Sequence, residues 1–124
     1  MRRMLAAMVL AGPALAQDGQ AFGTWQTEPG ADVPPLQVYV APCGYDTALT
    51  CGEIVQAEGR EELLGRAIFT GMRADGTGNW RGGQLWVPEE DRTYRASMRL
   101  ERGALTVRGC VALFCRTRVW TRVE

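Results

Sequence analysis

Four groups of side chains in this sequence could do chemistry. The first is an even set of cysteines, Cys43, Cys51, Cys110 and Cys115, able to form two disulfides or, as four thiolates, to hold zinc. Seven residues separate the first two and four the last two, and neither interval is the two-residue knuckle common in zinc sites. Disulfides are therefore expected. Of the three possible connectivities, the local one, Cys43 with Cys51 and Cys110 with Cys115, is preferred because each pair flanks a short turn.

The second group is aromatic. Trp80 and Trp86 flank Gly82-Gly83, and in a regular strand Trp80, Gly82, Gln84 and Trp86 share one face. With Tyr94 nearby in sequence, these residues are the candidate ligand-binding set: glycines admit a ligand to the backbone, and the rings stack on it, as in sugar or peptide recognition. The competing and preferred reading is a β-bulge at Gly82-Gly83, with the indoles filling core. The third group, Arg116, Arg118, Trp120 and Arg122, alternates along the last apolar-rich segment and could bind a carboxylate or an anionic glycan. A solvated outer face, paired with Glu-bearing neighbours, is the favoured expectation because such charges are rarely buried unpaired. The fourth, Glu89-Glu90-Asp91, reads as a solvated turn, since adjacent turn carboxylates lack the opposed geometry of a glycosidase. Asp75 to Asn79 lacks the ligand spacing of a calcium loop and reads as a hairpin turn.

What is missing narrows the chemistry further. The 124 residues include no histidine, which removes Ser/His and Cys/His catalysis and most zinc sites. Ser97 is the single serine, and no nucleophile is indicated. The sequence therefore points away from an enzyme, and no catalytic residue, metal or cofactor is assigned.

Residues 1–16 set the compartment. Met1-Arg2-Arg3 is a positive start, Met4 to Leu10 an apolar stretch, and Ala14-Leu15-Ala16 a small-x-small cleavage pattern, the arrangement of a Sec signal peptide cut after Ala16. No cysteine follows that cut to carry a lipid anchor, and no apolar run reaches the roughly 18 residues of a membrane span. The expected product is one domain, residues 17–124, in the periplasm or secreted, where disulfides persist. Without Arg2 and Arg3 it carries 12 basic and 14 acidic residues, a balance that argues against nucleic acid and anionic membranes as partners.

The elements that must position these groups are strands. Fourteen of the glycines and five of the prolines fall in residues 17–124 at turn-like intervals, without long helical periodicity, as in an all-β barrel or sandwich. Eight strands are expected, near 23–28, 36–41, 51–57, 66–72, 79–87, 92–101, 104–109 and 115–123, the number that closes a small barrel. Leu36, Val38 and Val40 alternate with polar neighbours, as do Tyr94, Ala96, Met98 and Leu100, so one face is buried and the other solvated. Ala74 to Gly78 and Glu101-Arg102-Gly103 supply hairpin turns. Only Glu61 to Leu64 suggests a helical turn. In an up-and-down barrel the first and last strands are neighbours, which would stack Arg122 of Trp120-Thr121-Arg122 on Trp25 of Gly23-Thr24-Trp25. That arrangement resembles the lipocalin and calycin signature, with Gly23, Trp25 and Arg122 in structural roles.

Several segments together resemble the bacterial exported family known as domain of unknown function 2147: Gly23 to Glu28, Cys43-Gly44, Cys51 to Val55, Trp80 to Glu89, Thr93-Tyr94, Leu105 to Cys110 and Cys115 to Arg122. They span nearly all of residues 17–124. The resemblance implies a small periplasmic β-barrel-like protein with no assigned catalytic residues. One departure is the short acidic connection from Ala57 to Gly65, where relatives carry a longer loop. The leading expectation is a non-catalytic, calycin-like all-β eight-stranded barrel that binds a small, partly apolar or glycan-like ligand in, or at the mouth of, the barrel. The alternative is a filled barrel that acts through its loops on an envelope protein or inhibits a hydrolase.

Overall fold

The computed structural model describes residues 19–123; the expected signal peptide and its cleavage site lie outside them. Eight antiparallel strands run β1 (Gly23–Gln26), β2 (Gln37–Pro42), β3 (Thr50–Gln56), β4 (Ala67–Ala74), β5 (Asn79–Val87), β6 (Arg92–Glu101), β7 (Ala104–Val111) and β8 (Phe114–Arg122). Each pairs with its sequence neighbours and β1 pairs with β8, so the sheet is a closed up-and-down barrel. The expected all-β fold is the one observed. A 3₁₀ turn at Glu61–Leu63 occupies the β3–β4 connection.

Strand pairing follows from the alternation. Val38, Val40, Ile54, Met98, Leu105 and Val107 are buried inside the barrel, together with Trp25, Phe69, Met72, Trp80 and Trp120. Two glycines make room for this filling. A Cβ on Gly52 would lie 2.5 Å from the Phe69 ring and 2.9 Å from Val38, and one on Gly83 would lie 2.6 Å from the Thr70 carbonyl oxygen. Glycine is thus the residue that lets β3 and β5 approach these neighbours.

The pairing corrects one expectation. Trp80 lies opposite Met98, but Gly83 lies opposite Ala96 and Trp86 opposite Thr93. One extra residue has entered β5 at Gly82, whose φ is +80°, and such a bulge reverses the alternation beyond it. Trp80 and Trp86 therefore occupy opposite faces of β5, and the period-two grouping of Trp80 with Trp86 fails.

A second expectation also falls. Gly109, Val107 and Leu105 of β7 lie opposite Arg116, Arg118 and Trp120 of β8, and Leu105, Val107 and Trp120 are buried. The stripe of Arg116, Arg118, Trp120 and Arg122 is thus the inner face of β8 rather than the outer one, although its three arginines stay exposed and Arg116 pairs with Glu90 as expected. The outer face carries Thr117 and the exposed Val119. The inner position is tolerable because only Trp120 sits at mid-barrel, while the long guanidinium stems reach the two barrel ends.

Both cysteine pairs are bonded as expected. Cys43–Cys51 ties the end of β2 to β3 with Cα atoms 4.9 Å apart, and Cys110–Cys115 bridges directly paired residues of β7 and β8 with Cα atoms 4.1 Å apart.

Candidate functional site: the mouth of the barrel

The two ends of the barrel are built differently. At one end the chain entering β1 crosses the opening. Trp25 lies directly beneath it, fully buried, and its Nε1 donates to the Ala21 carbonyl at 2.8 Å. Arg122, paired with Trp25 across the β1–β8 seam, holds its guanidinium carbon 4.2 Å from the indole centroid. Its Nη1 donates to the Phe22 carbonyl at 2.9 Å and its Nη2 to that of Gln20. A flat cation over a π face, with its donors spent on backbone carbonyls, closes this end.

The other end is open. The β1–β2, β3–β4, β5–β6 and β7–β8 connections surround a cavity of about 290 Å³. That volume lies at the small end of the range for ligand sites, about 300–1,000 Å³. Leu36, Ile68, Leu85, Val107 and Trp120 form its apolar wall, and Tyr94, Trp86, Arg60, Arg116 and Arg118 line it toward the rim.

Rim charges are held in place by one another. Arg116 Nη2 donates to Glu90 Oε2 and to the Tyr94 hydroxyl, both at 2.7 Å, and the Tyr94 hydroxyl donates to Glu90 Oε1. The bond from Tyr94, then that from Arg116, keeps the Glu90 carboxyl below the ordinary carboxylate range. Glu90 in turn raises Arg116. Across the rim, Arg60 Nη1 meets Glu89 Oε2 at 2.6 Å and its Nη2 donates to the Pro34 carbonyl at 3.2 Å. Among the described residues the buried Nε of Arg60 has no acceptor. Trp86 donates to Asp91 Oδ1 at 3.0 Å and carries the Arg66 guanidinium 4.0 Å from its ring.

The family model described as an uncharacterized protein conserved in bacteria, DUF2147, matches residues 23–122. The chain belongs to the DUF2147 family. No curated protein matches this DUF2147 chain. Among solved structures it is similar to protein HP1028 from the human pathogen Helicobacter pylori, described as belonging to the lipocalin family. The two are 13% identical, 82% of each chain is covered, and the TM-score is 0.67. At that identity the likeness concerns the fold: the DUF2147 barrel is lipocalin-like.

Of the three residues singled out for ligand binding, Trp86 and Tyr94 line the cavity, whereas Trp80 is buried beside Met98 toward the closed end and does not. The Trp80 indole nitrogen has no hydrogen-bond partner, which fits a space-filling role. Arg116 and Arg118, read from the sequence as solvated, are cavity residues. Arg60, Arg66 and Ile68 were not singled out at all. Arg60 lies within the short acidic connection and Arg66 directly follows it, but only the closed barrel brings them to the rim. Among the described residues no three Cys, Asp or Glu side chains form a metal-binding group, and no helix is long and apolar enough to cross a membrane.

Proposed function

We propose that this protein is a non-catalytic, exported calycin-like protein that binds a small, partly apolar molecule in the open mouth of its barrel. The observation that carries the reading is the asymmetry of the two ends: one plugged by Trp25 and Arg122, with the hollow of about 340 Å³ outside the plug lined by Gln20, Gly78, Leu100, Arg102, Gly103 and Arg122 and offering a single large apolar side chain, the other a cavity with an apolar wall and a polar rim. Small-molecule sites have that composition, an apolar lining with a few placed polar groups. A non-enzymatic role is supported by the lack of histidine and by the engagement of Glu89, Glu90 and Asp91 in structural contacts with Arg60, Arg116 and Trp86. Two disulfides and the signal-peptide pattern of residues 1–16 support a periplasmic or secreted domain comprising residues 17–124.

The test is binding of the neutral fluorophore N-phenyl-1-naphthylamine. Wild type should bind one equivalent saturably. Leu85→Phe, which places a ring against the cavity wall, should reduce that binding sharply while the circular dichroism spectrum is retained. Absence of saturable binding by the wild type would reject the reading.

The envelope-interaction alternative draws on one specific observation. Leu113 and Phe114, at the tip of the disulfide-clamped β7–β8 hairpin, are 96% and 79% exposed, and exposed apolar pairs on a rigid turn are suited to a protein contact. Photocrosslinking from position 113 in intact cells should give one discrete adduct that Phe114→Ser weakens. A smear of adducts insensitive to that substitution would remove this alternative.

A further inference from the structure

The inner-face arginines differ in how their charge is met. Arg122 is spent on Trp25 and two carbonyls, and Arg116 on Glu90 and Tyr94. The neighbouring rim cations are also engaged, Arg60 with Glu89 and Arg66 with the Trp86 ring. Arg118 is the exception. It lies opposite the buried Val107 on β8 and lines the cavity, yet among the described residues no carboxylate comes within 4.0 Å of it. Among the described residues its side chain makes one hydrogen bond, from Nη1 to the Thr117 carbonyl at 3.1 Å.

The cavity's remaining carboxylate makes no ion pair with Arg118. Glu28 lines the same cavity, but its Oε1 accepts from the Val119 amide at 2.8 Å. A second donor is also unmatched: Arg60 Nε, on the same wall, is buried with no acceptor among the described residues. Glu89 and Glu90, which would otherwise repel an anion, are each paired with an arginine. The cavity thus combines an apolar wall with a cation that, among the described residues, makes no ion pair. A cationic ligand would meet that charge unfavourably, and a purely apolar one would leave it unmatched.

We infer that the ligand is an amphipathic carboxylate, with its apolar body against Leu36, Leu85, Val107 and Trp120 and its acid group taken by the Arg118 guanidinium at the rim. This rests on the reading of the cavity as a binding site and names the chemistry of what enters it. The guanidinium fork presents parallel N–H donors that match the two oxygens of a carboxylate. Burial of the chain against the apolar wall supplies the body of the affinity, and the charged pair supplies the selectivity.

The experiment is calorimetric titration of the exported protein with decanoate and with decanol at neutral pH, below their aggregation limits. Wild type should bind decanoate about tenfold tighter than decanol, the size expected of one charge-assisted pair. Arg118→Gln should remove the difference and leave decanol binding unchanged. Arg108→Gln, on the exposed side of β7, should keep it. Equal binding of acid and alcohol by the wild type overturns the assignment while leaving the cavity reading standing. So does a preference for the acid that survives Arg118→Gln or is lost equally in Arg108→Gln. Failure of both ligands to bind overturns the cavity reading and this inference with it.

Discussion

Truncating Arg122 to alanine tests the closure of the barrel most sharply. Its guanidinium lies 4.2 Å from the Trp25 ring centroid, and the side chain is itself exposed, so the cation–π contact belongs at the exposed end of the scale, about 0.5–1 kcal/mol. The two bonds to the Phe22 and Gln20 carbonyls would be stronger if buried; discounted for solvent, they contribute about 0.5 kcal/mol each. Arg122→Ala should therefore cost about 1.5–2 kcal/mol, which lowers the urea midpoint by about 1 M for a domain of this size. Arg118→Ala, on the same strand face but bonded only to its neighbour's carbonyl, should stay within about 0.5 kcal/mol. Trp25→Ala should cost about 3–5 kcal/mol as a large-to-small core change. In a double-mutant cycle, Trp25→Phe and Arg122→Ala should couple by about 0.5 kcal/mol, because Phe keeps most of the packing but holds a cation more weakly. Equal effects of the two arginine substitutions would refute the reasoning. Strict additivity in the cycle would do so too, leaving Arg122 a solvated residue that β1–β8 pairing does not need.

Gly83→Ala, whose Cβ would meet the Thr70 carbonyl at 2.6 Å, should destabilise by about 1–3 kcal/mol. Gly82→Ala, with open space but φ +80°, should cost only about 1 kcal/mol; the reverse order in urea unfolding would contradict the placement of the bulge. Trp80→Phe should be milder than Trp25→Phe in the same assay, since the Trp80 indole nitrogen has no acceptor to lose whereas that of Trp25 donates to Ala21. The Glu90 carboxyl is held below its ordinary value of 4.5, first by Tyr94 and then by Arg116. Its contribution to stability is therefore complete above that value and is lost as pH falls through the lowered one. The stability gap between wild type and Tyr94→Phe should accordingly be full at neutral pH and close on acidification; a gap that widens in acid would be the contrary result.

Strand number, closure and disulfide pairing were legible in the sequence because each rests on local signals. Alternation in Leu36 to Ala41 and in Thr93 to Leu100 needs only period two, and Cys110 and Cys115 flank a turn. The strand ends shifted where side chains intervene. β1 stops at Gln26 rather than at 28 because the next residue turns its hydroxyl to the Leu36 amide at 2.8 Å. The site was less legible. The bulge preferred for Gly82-Gly83 on its glycines is the one observed, but its consequence, that Trp80 and Trp86 part to opposite faces, is invisible to period-two counting. The inner-face placement of Arg116 and Arg118 agrees with the preference of charge for solvent only because both lie at the open mouth, where they stay exposed. It becomes reasonable only once β5–β6 delivers Glu90 and Tyr94 to the same rim. Arg60 reaches Glu89 over a separation of 29 residues, a contact that no local pattern announces.

The four tryptophans allow the central claim to be read in one spectrum. Trp86 and Trp120 line the cavity, whereas Trp25 and Trp80 do not and are buried away from it. Each indole N–H gives its own signal in a nitrogen–proton correlation experiment on the labelled, exported protein. Titration with N-phenyl-1-naphthylamine should move the Trp120 indole signal saturably, together with the Leu85, Val107 and Gly109 amides, and leave the indole signals of Trp25 and Trp80 in place. Four unmoved indoles, or movement confined to Trp25 and Trp80, would contradict a binding site at the mouth of this barrel.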